Sequence, residues 1–299
     1  MKTFNRTLLA ALAASVMTAQ AAMAAPRLAP NRLSSIGDSI SEAINAEWYS
    51  PFDNATGNHW ASWVNGFHGF WESILGKLNV ASFNQRITAS FGSAGRANFM
   101  ESVGGADSYD LVQQATSAVS HGATFVTMFM GHNDVCKASF ADIPTDAELE
   151  ANWRASLEIL KNGLPAGATV YVAGMVDIYR LYQLGHEKQA MGIVDCSTVW
   201  LATLFDMYPC GTMLSPTNSE ADRQFTRSRN IAFNQILQDL VAEYSQTDPD
   251  HYYHFSDAAF QYQFVPSQVS DVDCFHPSAV GQRDLSQILW DAGPFSSRH

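Results

Sequence analysis

"RLSSIGDSIS" (residues 32–41) begins as an apolar-containing run of strand length and ends on Gly37, Asp38 and Ser39, residue types that favour tight turns. Asp38 or Ser39 could simply cap a following helix, and alone the stretch reads as an ordinary turn. The same turn would also hold the Ser39 hydroxyl where a strand gives way to a helix, as a nucleophile requires. The rest of the chain decides between the two.

Apolar runs of strand length recur. "ATFVTMFM" (123–130) is the strongest and "ATVYVAGM" (168–175) follows, with weaker candidates at "FNQRITAS" (83–90) and "HYYHF" (251–255). Helical patterns lie between them. "SYDLVQQATSAVS" (108–120) sets Leu111, Val112, Ala115 and Val119 on one face, with Asp107 as N-cap. Residues 146–164 are amphipathic and end near Gly163 and Pro165, and residues 220–244 give a longer helix. Strands alternating with helices predict an α/β fold of three α/β/α layers, flavodoxin-like, with a central, mostly parallel sheet of about five strands. Such sheets bind ligands outside the carboxyl ends of their strands. The chain shows no internal repeat, low-complexity tract or linker that would divide it.

Residues 1–24 read as a signal peptide. Lys2 and Arg6 supply a positive start, "LLAALAASVMTA" an apolar stretch, and "AMA" (22–24) a small-x-small cleavage signal. The apolar run is too short and Ala-rich for a good membrane span. Secretion or a periplasmic location is therefore expected, with residues 25–299 as one domain. Removing that segment takes away two positive charges and no negative one, which moves the net charge from −12 to −14. So acidic a chain is poorly suited to nucleic acid or anionic membranes. Charged residues at 15% and aromatics at 12% suit a packed enzyme rather than a disordered chain.

Export makes two disulfides the default for Cys136, Cys196, Cys210 and Cys274, with three possible connectivities. Cys196 and Cys210 flank a loop-like stretch, so the expected pairs are Cys196–Cys210 and Cys136–Cys274. No cysteine spacing matches a zinc ribbon or a redox pair. His59, His68, His121 and His254 are scattered, so neither a metal nor a cofactor is expected. The aromatic set Trp48, Trp60, Trp63, Phe67, Phe70 and Trp71 reads as helix core rather than as a substrate platform.

Two further motifs carry chemistry. "GHND" (131–134) follows the strongest strand, and "DVDCFHPS" (271–278) lies near the C-terminus. There Asp273 stands three residues before His276, and Pro277 is placed to start a helix. A serine hydroxyl is a weak nucleophile at neutral pH and needs an imidazole base oriented by a carboxylate. Ser39, His276 and Asp273 supply these groups, with Asp271 a poorer orienter by spacing. A developing oxyanion needs neutral, fixed donors, for which the Asn133 side chain and the Ser39 amide are suited. His132, within the turn, could line a pocket or only shape the turn.

In these residues the chain resembles the SGNH (GDSL-type) hydrolases. The markers are Gly37-Asp38-Ser39-Ile40-Ser41, Gly131-His132-Asn133-Asp134 and Asp273-Cys274-Phe275-His276, in the family's order. "GGADSYDL" (104–111) looks like the family's oxyanion-glycine block and points to Gly105, with Gly92 and Gly95 of "FGSAG" (91–95) as rivals. The resemblance implies an exported serine esterase or lipase acting on a small-molecule or lipid ester. Ser39, Asp273 and His276 would be its catalytic residues, and Ser39, Gly105 and Asn133 its oxyanion hole. A carbohydrate acetyl esterase or an acyltransferase would use the same apparatus. Outside the class stands a non-catalytic secreted binding protein. Ser41 would support the turn.

Overall fold

A computed structural model describes residues 25–48, 58–205 and 209–296. The expected signal peptide, residues 1–24, lies outside the described residues. From the N-terminus run β1 (Arg32–Gly37), α1 (Ser39–Glu42), α2 (Phe70–Ile74), α3 (Phe83–Phe91) and β2 (Ala97–Met100). Then come α4 (Leu111–Ser120), β3 (Phe125–Phe129), α5 (His132–Val135), α6 (Asp146–Gly163) and β4 (Thr169–Ala173). The remainder is α7 (Ile178–Ala190), α8 (Cys196–Trp200), α9 (Gly211–Leu214), α10 (Glu220–Thr247), β5 (Tyr252–Ser256), α11 (Ala258–Gln261) and α12 (Ala279–Asp291). The five strands pair in the order β2-β1-β3-β4-β5, every pair parallel. The chain leaves β1 toward β2 and returns on the other side to β3. The β1/β3 boundary is thus the switch point of a doubly wound sheet, where ligands are accommodated.

Successive side chains of a strand face opposite ways, and both faces here are covered. Val126 and Met128 of β3 join Leu111 and Ala115 of α4, Trp153 and Leu157 of α6, and Phe233 and Leu237 of α10 in one core. Phe125 and Phe129 point the other way, into a core with Trp63, Phe83, Leu285 and Trp290. The result is three layers. Among the described residues no helix is long and apolar enough to cross a membrane.

The long helices begin as expected. Thr145 and Glu148 form a capping box at the start of α6, and Ser219 and Asp222 do the same for α10. Asp107 accepts the Tyr109 N–H at the 3-10 turn that leads into α4. Val112, expected on the buried face of α4, is instead exposed, because Ala118 takes the inner position alongside Leu111 and Ala115.

Residues 83–90 are a helix rather than a strand. Ser82 and Gln85 cap it reciprocally, and Phe83 and Ile87 are buried one helical turn apart. The first strand after β1 is instead the half-buried β2, which was not foreseen. Pro277 does not open a helix either: it pairs with Val269 in an antiparallel bridge, and α12 starts two residues on, capped by Ser278. The aromatic set divides. Trp63 is fully buried, whereas Trp48, Phe67, Phe70 and Trp71 are exposed.

The cysteines pair as Cys136–Cys210 and Cys196–Cys274, not as expected. The stretch between Cys196 and Cys210 holds α8 and a 3-10 turn rather than a simple loop. Backbone contacts such as Thr212 N–H to Lys137 C=O, at 3.0 Å, lay the start of α9 along the segment after Cys136. Trp200 Nε1 on α8 donates to the Cys274 carbonyl at 3.3 Å, which brings Cys196 over Cys274.

Phe83 is the centre of the second core. It meets Trp63 and Trp290 edge-on, with ring centroids 5.0 and 5.2 Å away, and stacks with Tyr171 at 6.2 Å. Phe83→Ala is expected to lower unfolding stability by about 3–5 kcal/mol, read from urea denaturation. A loss under about 1 kcal/mol would contradict the burial described.

Candidate active site

The site forms where β1 ends. A Cβ on Gly37 would stand 2.5 Å from Ser41 Oγ and 3.0 Å from the Phe129 carbonyl, so only glycine lets β1, β3 and the turn approach so closely. Gln114, reaching in from α4, accepts the Gly37 N–H at 2.8 Å and donates to the Gly37 C=O at 3.0 Å. Asp38 Oδ1 accepts the Ile40 N–H at 2.9 Å and so caps α1. Its other oxygen accepts from His132 Nδ1 at 2.8 Å, both side chains being buried. His132 Nε2 accepts the Val176 N–H at 3.3 Å, so Nδ1 carries the proton and the ring joins the turns after β1, β3 and β4. His132 also lines the pocket, so it does both things its position allowed. Ser41 serves the turn through its backbone, whose carbonyl accepts the Ser62 hydroxyl at 2.6 Å.

Ser39 Oγ lies 2.8 Å from His276 Nε2, and His276 Nδ1 lies 2.6 Å from Asp273 Oδ2. The two ends of the chain, 237 positions apart, thus meet in one hydrogen-bonded series. Asp273 Oδ1 accepts the backbone N–H groups of Phe275 and His276 at 3.0 and 3.1 Å. Asn45 Nδ2 donates to Oδ2 at 2.7 Å. Burial pushes the Asp273 carboxyl up, but the bond and charge of His276, with the Asn45 bond, outweigh it and hold the group below the usual carboxylate range. Asp271, the rival orienter, turns away and pairs with Lys188. That buried ammonium also donates to the Val269 carbonyl at 2.6 Å, anchoring the same loop.

The opposite wall comes from the turn after β3. Gly131 has φ +118°, and a Cβ there would meet Met175 Sδ at 2.6 Å, so the turn needs glycine. Half-buried Asn133 donates one amide hydrogen to the Ala106 carbonyl at 2.8 Å and shares a pocket wall with Ser39 and His276. Asp134 is buried and accepts both the N–H and the hydroxyl of Ser108, at 2.9 and 2.7 Å. Asn133 and Asp134 therefore tie the turn after β3 to the loop after β2.

Gly105, with φ +83°, stands on that loop, but it lines a neighbouring depression with Glu101, Gly104 and Gln114 rather than the pocket itself. Gly92 ends α3 and Gly95 precedes β2. Because β2 runs parallel to β1, both rivals sit at the amino edge of the sheet, away from Ser39. Among the described residues no group of three or more His, Cys, Asp or Glu side chains could hold a metal ion. Asn45, Gln114 and the His132–Asp38 pair were not singled out from the sequence as a supporting frame. The one signal was the run of small polar residues around the turn.

The family model described as GDSL-like Lipase/Acylhydrolase matches residues 34–289. No curated protein matches the chain in sequence. Among solved structures, LAE5, an alpha/beta hydrolase enzyme from the metagenome of Lake Arreo, Spain, is 15% identical. The match covers 88% of this chain and 95% of that one, with a TM-score of 0.51. The extracellular lipase of Streptomyces rimosus is 18% identical over 88% of this chain and 100% of its own, with a TM-score of 0.45. A family 3 carbohydrate esterase of Clostridium thermocellum is 13% identical over 87% and 94%, also at 0.45.

Burial raises the Asp134 carboxyl to about 6, although the Ser108 hydroxyl bond works against it. A folded-state pKa above the ordinary value means that the folded protein holds this proton more tightly than the unfolded chain does. Its contribution to stability is full below about pH 4 and is lost as pH rises through about 6. The thermal midpoint of wild type is therefore expected to fall relative to that of Asp134→Asn between pH 4 and pH 7. A difference independent of pH would contradict the shift.

Proposed function

The chain belongs to the GDSL-like lipase/acylhydrolase family, and from that premise we propose a serine esterase of the exported kind, acting on esters of apolar acids. Residues 25–299 are read as its single catalytic domain. The observation that carries the mechanism is the series Ser39 Oγ, His276, Asp273, with contacts of 2.8 and 2.6 Å at the edge of one pocket.

Ser39 Oγ attacks the acyl carbonyl carbon while His276 Nε2 takes the hydroxyl proton. The tetrahedral intermediate collapses, the bond to the leaving alcohol breaks, and His276 returns the proton to that alcohol. Water then attacks the acyl carbon and gives a proton to His276, the bond from that carbon to Ser39 Oγ breaks, His276 returns the proton to Oγ, and the free acid leaves. Asp273 stays ionised throughout and holds Nδ1–H toward itself. The Ser39 amide and the free amide hydrogen of Asn133 receive the oxyanion, each donor contributing about 3 kcal/mol, and Gly105, which lines the neighbouring depression, is not assigned to the hole.

The pocket supports the substrate class. It opens to solvent beside Ser39 and is walled by Val176, Ile178, Leu181, Leu184, Phe264 and Phe275. The charged residues on its wall are already engaged. Asp177 pairs with Arg227 at 2.7 Å, and Arg180 with Glu187 at 2.6 Å and with the Phe264 carbonyl at 2.9 Å. An apolar acyl chain loses water contact there at no cost to a buried charge, whereas acetate would leave most of the wall uncovered. Two disulfides and the signal-like residues 1–24 support export to an oxidising compartment.

The test is hydrolysis of p-nitrophenyl esters from acetate upward by wild type and Ser39→Ala. Wild type is expected to prefer an acyl chain longer than acetate, and the variant to lose at least about a thousandfold in kcat. Equal rates would defeat the serine mechanism and leave a binding protein. An optimum at acetate would favour a carbohydrate acetyl esterase.

A further inference from the structure

Four donors surround the Asp273 carboxylate. Three belong to its own turn: the N–H groups of Phe275 and His276, and His276 Nδ1. The fourth, Asn45 Nδ2 at 2.7 Å, comes from the far end of the nucleophile loop, 228 positions away. It reaches Oδ2, the oxygen that also faces the imidazole.

Residues 45 and 46 make two more bonds to the same part of the chain. The Ser270 hydroxyl donates to the Asn45 carbonyl, and the Ala279 N–H donates to the Ala46 carbonyl at 2.9 Å. The Asn45 backbone is left-handed, with φ +53°, a conformation that asparagine tolerates better than other side-chain-bearing residues. Position 45 therefore needs both an unusual backbone and an uncharged donor, and asparagine supplies the two together. Aspartate would match the backbone but set a second carboxylate against Asp273.

We propose that Asn45 is a positioning residue for the ester hydrolysis, clasping the Asp273–His276 turn to the Ser39 loop and holding Oδ2 on the imidazole. The turn is rigid within itself, so its internal bonds do not set its distance from Ser39. The bond from Asn45 runs across that gap. It also shares the charge of Oδ2 between two donors, which fixes the carboxylate rotamer and with it the plane of the ring. A 1 Å displacement of a base from its nucleophile can cost about a hundredfold in rate.

This inference rests on the serine-esterase reading, so wild type must first hydrolyse a p-nitrophenyl ester and Ser39→Ala must not. Failure at that step removes the reading itself. Asn45→Gly then keeps the left-handed backbone and removes only the carboxamide. It is expected to fold with a near-wild-type circular dichroism spectrum and to lose about ten- to a hundredfold in kcat, with KM changed less than about twofold. Asn45→Asp is expected to move the acid limb of kcat/KM to higher pH, because an added carboxylate favours the imidazolium. Ser270→Ala leaves the Asn45 carboxamide in place, removes the hydroxyl's bonds to the Asn45 carbonyl and the Val272 N–H, and is expected to keep the wild-type limb. Wild-type kcat in Asn45→Gly would overturn the proposal. So would an unmoved acid limb in Asn45→Asp, or equal kcat losses in Asn45→Gly and Ser270→Ala.

Discussion

Gly37 lies opposite Phe129 in the parallel pairing of β1 with β3, and that register sets the height of everything above it. It brings the carboxyl ends of the two strands level at the one place where the chain reverses its winding direction. Ser39 leaves one strand and Asn133 the other, so the serine hydroxyl and the asparagine amide share a pocket wall without a long loop to place either. A one-residue slip would exchange the inward and outward faces of β3. Phe125 and Phe129 would leave their aromatic core, and Val126 and Met128 theirs. The packing of both layers thus enforces the geometry of the site.

What the sheet positions, polar side chains then lock. Gln114 occupies both backbone groups of Gly37, the His132–Asp38 pair joins three turns, and Asp134 holds Ser108 against the turn after β3. These groups are buried and bonded, so each would cost free energy if its partner moved away. The third component, the 273–276 turn, comes from the opposite end of the chain and lies outside any strand. It is fastened by Cys196–Cys274, by Lys188 through the loop before it, and by Asn45 across the gap to the Ser39 loop. The loop that carries the His276 imidazole is thus surrounded by short, directional constraints.

The parts of this arrangement legible in the sequence are those with a local cause. β1, β3, β4 and β5 are apolar runs bounded by turn residues, and the three chemical motifs each stand after a strand or on a turn before a helix. β2 was missed because "ANFM" is short, half-buried and at the sheet edge, where little hydrophobic contrast is required. Residues 83–90 deceived for the opposite reason. Phe83 and Ile87 are apolar in a polar run, and only the capping pair Ser82 and Gln85 distinguishes a helix from a strand there. The disulfide partners depend on α8 and α9 folding over two distant turns, which no spacing along the chain reports. Asn45 escaped notice likewise, since a lone asparagine acquires its meaning from a carboxylate 228 positions away.

The central claim is that Ser39 is made nucleophilic by His276 and Asp273. A fluorophosphonate that reacts only with activated serines tests it directly, with the modified residue located by peptide mass spectrometry. One adduct per chain is expected on the peptide carrying Ser39, and none in His276→Ala over the same time. An unlabelled wild type, or an adduct on another serine with Ser39 untouched, would contradict it.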